Sequence, residues 1–364
     1  MKITAVEAIP VRISRPQAFS SSLGIHQDTE NGVVVIDTDE GITGVGEASS
    51  VWDRKGRGEC EYINQLIAAH LVGRDPFRIN ELSGLMDGLL HRAWPAKAGV
   101  EMALYDIVGK ALNTPVYNLL GGSVREKVRL SHSLSMGPAE QIGQQAVRLA
   151  EEGYGTLKLK IGREPAADRA NVEIVRRRVP DVILRVDANM GWSSPKEAVR
   201  RILELEEFDL EMVEQPLHSS DLEGLRFVRD HVGVPIMADE SVWRPEDAIR
   251  CIKASAVDIF NVYVSEAAGL GPAARIFAIA EAARIPCIIG SMPEFGIGTA
   301  AQAHLAFAMD NLGFASDVNG FVYNSDDVVE KNLEIRDGFL LPPPGPGLGV
   351  SLDPDKLEKY RMRE

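Results

Sequence analysis

The fold is decided between residues 156 and 241, where TLKLKIG (156–162), VILRVDAN (182–189), EMVEQ (211–215) and PIMADES (235–241) follow one another. Each stretch is a short apolar run, and a segment with helical spacing separates it from the next. The pattern continues outward in VRLSHSLSM (128–136), AVDIFNVYV (256–264), PCIIGS (286–291) and the weaker FASDV (314–318). Eight such runs predict an α/β fold, a closed parallel (β/α) barrel. The alternative, an open doubly wound sheet, needs a glycine-rich phosphate turn after its first strand, and SLSMGPAE does not supply one.

The length of 364 residues suits a barrel-sized domain with a smaller one. Residues 1–125 begin with strand-like runs, including a hairpin signal at DTDEG (37–41), and continue with helical periodicity, so we predict an α+β domain there. The barrel is expected over 126–324. The segment 325–364, rich in proline and glycine, is expected to return to the first domain.

The composition argues against several classes of function. The formal net charge is −14, and such an acidic balance is unusual for a nucleic-acid-binding protein. No stretch approaches the roughly 20 apolar residues of a membrane span, and the N-terminus lacks the apolar run of a signal peptide. The three cysteines are widely spaced and form no metal-binding or disulfide pattern. We therefore expect a cytoplasmic protein without a nucleic-acid or membrane partner.

Three acidic residues stand where three consecutive runs end: Asp187, Glu214 and Asp239. They are 27 and 25 residues apart, about one β/α unit each, so they should meet at the C-terminal mouth of the barrel. Converging carboxylates repel one another unless a cation lies between them, and oxygen ligands suit Mg²⁺. The alternative is that each acid caps the helix that follows. The shared height favours a Mg²⁺ site.

Two lysines precede this site by one further unit. Lys158 and Lys160 are two residues apart in a strand, so both point to one face. The inward face is expected, because outward lysines would enter the apolar layer beneath the helices. The alternative is a pair that reaches solvent. A second ammonium and a dication nearby would lower the pKa of a lysine from about 10.4. This suits a general base that removes the proton next to a metal-bound carboxylate and leaves a metal-stabilised enediolate.

The motifs K-x-K (158–160), D-A-N (187–189), E-Q-P (214–216) and A-D-E-S (238–241) resemble those of the enolase superfamily, most closely its muconate-lactonizing-enzyme-like subgroup. The resemblance implies a modified (β/α)7β TIM-type barrel with an α+β capping domain, a small carboxylate substrate and a homo-oligomer. The resemblance implies that Asp187, Glu214 and Asp239 bind Mg²⁺ and that Asn189 and Glu240 support these ligands. It makes Lys160 the base and places Lys158 at the substrate carboxylate. It also implies that His26, in the capping loop Phe19–Asp28, and Trp52, in the capping loop Ser50–Asp53, contact the substrate.

One position departs from the subgroup. The resemblance places a second lysine at the end of the sixth run, where this chain has Tyr263. A phenol with a pKa near 10 donates a proton more readily than it abstracts one from carbon. We therefore predict a one-base lyase, a dehydratase of a hydroxy acid or hydroxyproline-like amino acid, in which Lys160 is the base and Lys158, Tyr263 or a metal-bound water assists the leaving group.

Three alternatives remain open: a racemase or epimerase, a cycloisomerase of a carboxylate or amino-acid derivative, and a non-catalytic carboxylate-binding relative. The mandelate racemase branch fits less well. Its histidine at the end of the seventh strand is missing from PCIIGSMPEFG (286–296), and His304 falls in the helix that follows.

Overall fold

The computed structural model describes residues 1–52 and 55–363, so Asp53, at the end of the second predicted capping loop, lies outside the described residues. The N-terminal part begins with an antiparallel sheet of β1 (Ile3–Ser21), β2 (Gly24–Thr38) and β3 (Thr43–Ala48). Alternation along β1 explains the sheet, since Val11 and Ile13 are buried and Arg12 and Ser14 are exposed. The hairpin at DTDEG is confirmed by the pairing of Asp37 with Thr43.

The predicted capping loop Phe19–Asp28 is instead the end of the β1–β2 hairpin. Phe19 pairs with His26, and Ser21 pairs with Gly24. The prediction failed because this part of the hairpin carries mostly polar residues, and polar composition resembles that of a loop.

The helices that follow the sheet are α1 (Lys55–Tyr62), α2 (Ala68–Leu71), α3 (Ile79–Leu89), α4 (Trp94–Ala111) and α5 (Val116–Leu119), with a π-helical turn, Ile63–Ile67, between α1 and α2.

The second half of the chain forms the barrel. It begins with β4 (Val128–Arg129), which pairs outside the parallel sheet. Within residues 55–363, seven parallel strands lie side by side in chain order: β5 (His132–Leu134), β6 (Thr156–Lys160), β7 (Ile183–Asp187), β8 (Leu210–Glu214), β9 (Ile236–Ala238), β10 (Ile259–Val262) and β11 (Cys287–Ile289). The helices that connect and follow them are α6 (Ala139–Glu151), α7 (Pro165–Arg178), α8 (Pro195–Leu203), α9 (Leu222–His231), α10 (Pro245–Ala254), α11 (Val264–Ala267), α12 (Leu270–Ala282) and α13 (Gly296–Ala308), with a 3₁₀ turn at Glu206–Phe208.

The eighth apolar run closes the barrel without forming a regular strand. A parallel bridge joins Leu312 to Cys287 of β11, and another joins Ser316 to Leu130 beside β5. The backbone of Ser131 donates to Ser316, and that of Asp317 donates to Ile289. This topology confirms the modified (β/α)7β barrel with an α+β cap. The closing segment pairs too briefly to count as a strand, which agrees with its weak sequence signal.

The C-terminal residues contact both halves of the chain. A 3₁₀ turn (Gly320–Tyr323) leads to β12 (Ile335–Arg336), β13 (Phe339–Leu340) and α14 (Pro354–Tyr360), and β13 pairs with β4. The end of the chain reaches β1, where Arg361 bridges Val11 and Met362 donates to the carbonyl of Pro10 at 2.8 Å. The domain boundaries after residues 125 and 324 remain predictions.

Two buried carboxylates of the cap hold the N-termini of barrel helices. Glu47 of β3 accepts hydrogen bonds from the backbone of Phe295 at 2.8 Å and of Gly298 at 2.7 Å, at the start of α13. Glu101 of α4 accepts from the backbone of Leu270 and Gly271 at the start of α12. N–H groups at a helix start have no partner within the helix, and the carboxyl oxygens satisfy them, so these contacts fix the cap over the barrel.

The barrel interior below its mouth is packed. Met212, Met237, Ile259 and Ile288 form a buried cluster, and the buried Arg185 donates to Glu211 at 2.6 Å. All three cysteines are free and buried. A helix with the length and apolarity to cross a bilayer is absent from the described residues.

Candidate active site

Three acidic side chains converge at the C-terminal mouth of the barrel. Asp187 is the last residue of β7, Glu214 is the last of β8, and the two are register partners. Asp239 directly follows β9. All three are buried, and one carboxylate oxygen of each lies within 4.8 Å of an oxygen of the others. The structure therefore brings together the residues that the sequence placed at one height.

The two lysines of β6 lie on the inner face of the barrel and line the cavity at its mouth. Leu157 and Leu159 point to the opposite face and belong to the hydrophobic core. Lys158 is only 3% exposed, so the alternative of a solvent-reaching pair is wrong for this residue. The strand period of two and the cost of burying amines among apolar side chains explain the orientation.

Each lysine has carboxylate partners in the cavity. Lys160 forms an ion pair with Asp187 and donates a hydrogen bond to Asn189 Oδ1 at 3.0 Å. Lys158 forms ion pairs with Asp317 and, at 3.0 Å, with Glu214. These contacts fix both ammonium groups beside the three acids.

The pKa values of the lysines are raised, opposite to the direction that the sequence suggested. Burial alone would lower the pKa of Lys160, but the charges of Asp187 and Glu214, together with the hydrogen bond to Asp187, outweigh it. Burial also opposes the charged form of Lys158, yet Asp317 and Glu214 hold its pKa well above the ordinary value. The expectation of lowered values assumed a dication among the acids. With the carboxylates alone, their negative charge decides the direction.

The acids carry more negative charge than their surroundings neutralise. Burial, followed by the charge of Glu240, raises the pKa of Asp239 well above its usual value, and burial and Asp187 raise that of Glu214. Asp239 Oδ1 is buried and accepts no hydrogen bond from the described residues. A divalent cation would satisfy this oxygen and the surplus charge, and an all-oxygen donor set matches a hard cation. The three residues therefore fit a metal of the Mg²⁺ type.

Tyr263 lies on the other flank of the acids. The strand order places the lysines on β6, the acids at the ends of β7, β8 and β9, and Tyr263 directly after β10. Its hydroxyl donates to Asp239 Oδ2 at 2.8 Å and accepts a hydrogen bond from Asn261 at 3.2 Å. Burial and the charge of Asp239 raise its pKa well above the ordinary value. Without a cation among the acids, the phenol is therefore neutral and acts as a hydrogen-bond donor.

Two family models match the chain. Residues 3–121 match the mandelate racemase / muconate lactonizing enzyme N-terminal domain, and residues 141–356 match the enolase C-terminal domain-like family. The second match alone covers more than half of the chain. The chain belongs to the mandelate racemase/muconate lactonizing enzyme family. The resemblance to the enolase superfamily that its motifs carry is thereby confirmed.

Similar family members catalyse isomerisations. The N-succinyl-L-Arg/Lys racemase of Bacillus cereus is 30% identical, with 100% of this chain and 98% of that protein covered. The crystal structure of 2-chloromuconate cycloisomerase from Rhodococcus opacus 1CP has a TM-score of 0.96 at 31% identity, with 100% of both chains covered. That of dipeptide epimerase from Enterococcus faecalis V583, complexed with Mg and the dipeptide L-Leu-L-Tyr, has a TM-score of 0.91 at 33% identity and covers 96% of this chain and 100% of that one. The chain is thus an enolase-superfamily enzyme of the isomerase or lyase type, and we do not retain the non-catalytic interpretation.

The remaining predicted residues of this family member lie around the same cavity. Asn189 Nδ2 donates to Glu240 at 3.1 Å, and both line the cavity beside the acids. Burial and Asp187 raise the pKa of Glu240 to about 8. From the cap, His26 and Trp52 also line the cavity. His304 does not. It is buried in α13, where its Nδ1 accepts a hydrogen bond from the backbone of Tyr117 at 3.1 Å.

Sequence reasoning missed three side chains of the site. Asp317, the ion-pair partner of Lys158, ends the weak eighth run, so the rule that found the other acids applies to it as well. Asn261 donates to Glu214 at 2.9 Å and precedes Tyr263 by two residues, which places both on one face of the strand. Arg15 lines the cavity from β1, and its spacing of two from the buried Ile13 is the signal that could have found it.

Proposed function

We propose that this protein is a Mg²⁺-dependent enzyme in which Lys160 removes or returns the α-proton of a carboxylate substrate on one face of that carbon. The proposal rests on the different side chains that lie on the two sides of the acids in the cavity. Two amines flank the acids on one side, and a neutral phenol flanks them on the other. Proton abstraction from carbon needs a competent base, and only the lysine side offers one.

In this proposal Asp187, Glu214 and Asp239 hold Mg²⁺. When bound, the cation would supply the positive charge that stabilises negative charge developing on the substrate carboxylate. Lys158 stays an ammonium because Asp317 and Glu214 pair with it, and it binds and orients that carboxylate. With the charge of Asp187 neutralised in the holoenzyme, burial and Lys158 both lower the pKa of Lys160, as a base requires. Asn189 holds the Lys160 amine in place.

The outcome that one base supports is elimination and its reverse, addition. Lys160 takes the α-proton, the electron pair forms a double bond to the neighbouring carbon, and a group on that carbon leaves with its own electron pair. If the leaving group is a carboxylate of the same molecule, as in a lactone, the product is an isomer and the enzyme is a cycloisomerase. The similarity to 2-chloromuconate cycloisomerase supports this form. With hydroxide as the leaving group, the same step is the dehydration predicted from the sequence.

A racemase or epimerase is the second candidate. The similarity to a racemase and an epimerase favours it, and the Tyr263 hydroxyl is placed to deliver a proton to the second face. Such a reaction must also run in reverse, which requires the Tyr263 phenolate to form beside the charge of Asp239. Burial, the largest cause of the raised pKa of this phenol, opposes that ionisation whether or not a cation neutralises the acids.

Proton NMR in D₂O with Mg²⁺ separates these outcomes. The substrate panel contains lactones of dicarboxylic acids, β-hydroxy acids, N-acyl amino acids and dipeptides. Ring opening or loss of water without inversion supports the one-base proposal, whereas inverted substrate with deuterium at the α-carbon supports the second candidate. Lys160→Ala should slow either reaction about 10²- to 10⁴-fold, and Lys253→Ala, at an exposed lysine of α10, is the matched control. Unchanged exchange in Lys160→Ala would refute the base assignment.

A further inference from the structure

We infer that Arg15 binds a second anionic group of the substrate, so that the substrate class is a carboxylate with another acidic group at its far end. This inference rests on the proposed function for the reacting end of the molecule. The carboxylate of that end belongs with the acids and lysines of the barrel. Arg15 belongs to the cap and lines the same cavity.

Arg15 lies on the inward face of β1, at the point where the strand enters a bulge. The β1–β2 ladder pairs Ser14 with Asp28 and resumes with Phe19 and His26. Four residues, 15–18, therefore stand on β1 opposite a single residue on β2. Side chains of β1 alternate up to this point, so Arg15 continues the face of Val11 and Ile13, which are both buried. Arg12, three residues earlier in the regular part of the strand, is exposed and pairs with Glu30 at 3.0 Å.

Arg15 lacks the counter-ion that the other cations of the cavity have. Lys158 and Lys160 are paired with carboxylates, as described above. Arg15 Nε donates to Thr29 Oγ1 at 3.2 Å, and no carboxylate among residues 1–52 and 55–363 forms an ion pair with its guanidinium. The nearby Asp28 accepts a hydrogen bond from Ser14 Oγ at 2.8 Å instead.

The environment of this guanidinium favours an anion from outside the protein. Burial lowers the pKa of Arg15 to about 10, so the side chain remains a cation at neutral pH, although it is partly withdrawn from water. A cation in that position is stabilised when an anion reaches it. The planar guanidinium can donate two parallel hydrogen bonds to one carboxylate, which adds directional specificity.

The hairpin that carries Arg15 is fixed to the barrel. The backbone of Ser20 donates to Ser135 Oγ at 2.8 Å, and Met136 donates to the carbonyl of Ser20 at 2.9 Å. Ser22 Oγ lies 2.8 Å from the carbonyl oxygen of Ala188, which directly follows Asp187. These contacts anchor the hairpin at the mouth of the barrel. A substrate held at both ends is thereby selected for the distance between its two acidic groups.

Binding of matched ligand pairs to the Mg²⁺-loaded enzyme tests the inference. The pairs are N-succinylglycine with N-butanoylglycine, and hexanedioate with hexanoate, and in each pair only the first ligand carries a distal carboxylate. Isothermal titration compares the wild type with Arg15→Gln, Arg15→Lys and the control Arg12→Gln. We expect the wild type to bind at least one dianion about 10- to 100-fold more tightly than its partner. Arg15→Gln should remove this preference, Arg15→Lys should keep part of it, and Arg12→Gln should keep all of it.

Three results would overturn the inference: equal affinities in the wild type, no binding of either dianion, or a preference that survives in Arg15→Gln. Thermal unfolding of the variants checks that each one is folded. The same titrations on Lys160→Ala distinguish this inference from the proposed function. That variant should keep the preference for dianions while it loses α-proton exchange. If exchange survives there but the preference still depends on Arg15, the proposed function fails and the inference stands.

Discussion

Replacement of Asp239 by asparagine should stabilise the metal-free protein and remove its stabilisation by Mg²⁺. Asp239 is buried against two other carboxylates, and its Oδ1 has no hydrogen-bond partner among the described residues. An amide keeps an acceptor for the Tyr263 hydroxyl and removes one negative charge. Its NH₂ group can also donate to the neighbouring acids. The same change removes one of the proposed metal ligands, so the effect of Mg²⁺ should fall while the metal-free stability rises.

The magnitude follows from the geometry. Two like charges 4.8 Å apart repel by about 3 kcal/mol at an effective dielectric constant of about 20, and the nearby lysines offset part of this. We expect a net gain of about 1–3 kcal/mol, seen as a rise in Tm of about 1–4 °C. The raised pKa of Asp239 gives the sign of the pH dependence. The stability that it contributes is complete below the unfolded pKa of about 3.9 and is lost as pH rises through the folded value, so the gain should appear at neutral pH and vanish in acid.

Thermal unfolding in EDTA and in excess Mg²⁺ measures both effects. The wild type should gain about 2.7 kcal/mol when Mg²⁺ is present at 100 times its Kd, and Asp239→Asn should gain much less. Asp317→Asn is the matched control. Burial alone would raise the pKa of Asp317, but the ion pair with Lys158 lowers it, so loss of this charge should destabilise the metal-free protein. The reasoning is refuted if Asp239→Asn unfolds at a lower temperature than the wild type in EDTA, or if both gain equally from Mg²⁺.

Three further results are expected. Lys160→Ala should lower kcat/KM for α-proton transfer about 10²- to 10⁴-fold, because the base is lost; NMR exchange rates in D₂O check this, and a loss under tenfold contradicts it. Tyr263→Phe should change proton exchange on the Lys160 face less than about tenfold in a one-base enzyme; a larger loss, confined to inverted product, would favour the epimerase. Burial raises the pKa of Glu47 to about 8, above its unfolded value of about 4.3, so the folded protein binds the extra proton and its stability falls as pH rises from about 5 to 8. Glu47→Gln should flatten this fall in Tm, and an unchanged slope would show that Glu47 does not cause it.

The acids and lysines of the site could be predicted because a β/α unit of nearly constant length returns the chain to the same height. The register partners Lys160, Asp187 and Glu214 follow this rule along three adjacent strands. The same rule, applied to the eighth run, would have found Asp317. It was missed because that run closes the barrel through isolated bridges and carries little apolar signal.

The cap was less predictable than the barrel. Alternation along β1 gives the face of Arg15, because Ile13, two residues earlier, is buried, but alternation does not show that this face opens onto the cavity of the barrel at Arg15. The lowered lysine pKa values that the sequence suggested require a cation and stay a prediction, and without a cation the shift is upward. That shift is a balance between burial and several charges, and only their arrangement in space decides it.

The charges of the cavity imply an order of binding. Within the described residues of the barrel mouth, five carboxylates face the amines of Lys158 and Lys160: Asp187, Glu214, Asp239, Glu240 and Asp317. The raised pKa values of Glu214, Asp239 and Glu240 show that further negative charge is disfavoured here, so binding of a substrate carboxylate to this arrangement alone would be opposed. A dication removes two of those charges, and Arg15 adds a positive charge at the cap. Metal and substrate should therefore bind cooperatively, with dianion affinity lost in EDTA even though every side chain that contacts the substrate remains in place.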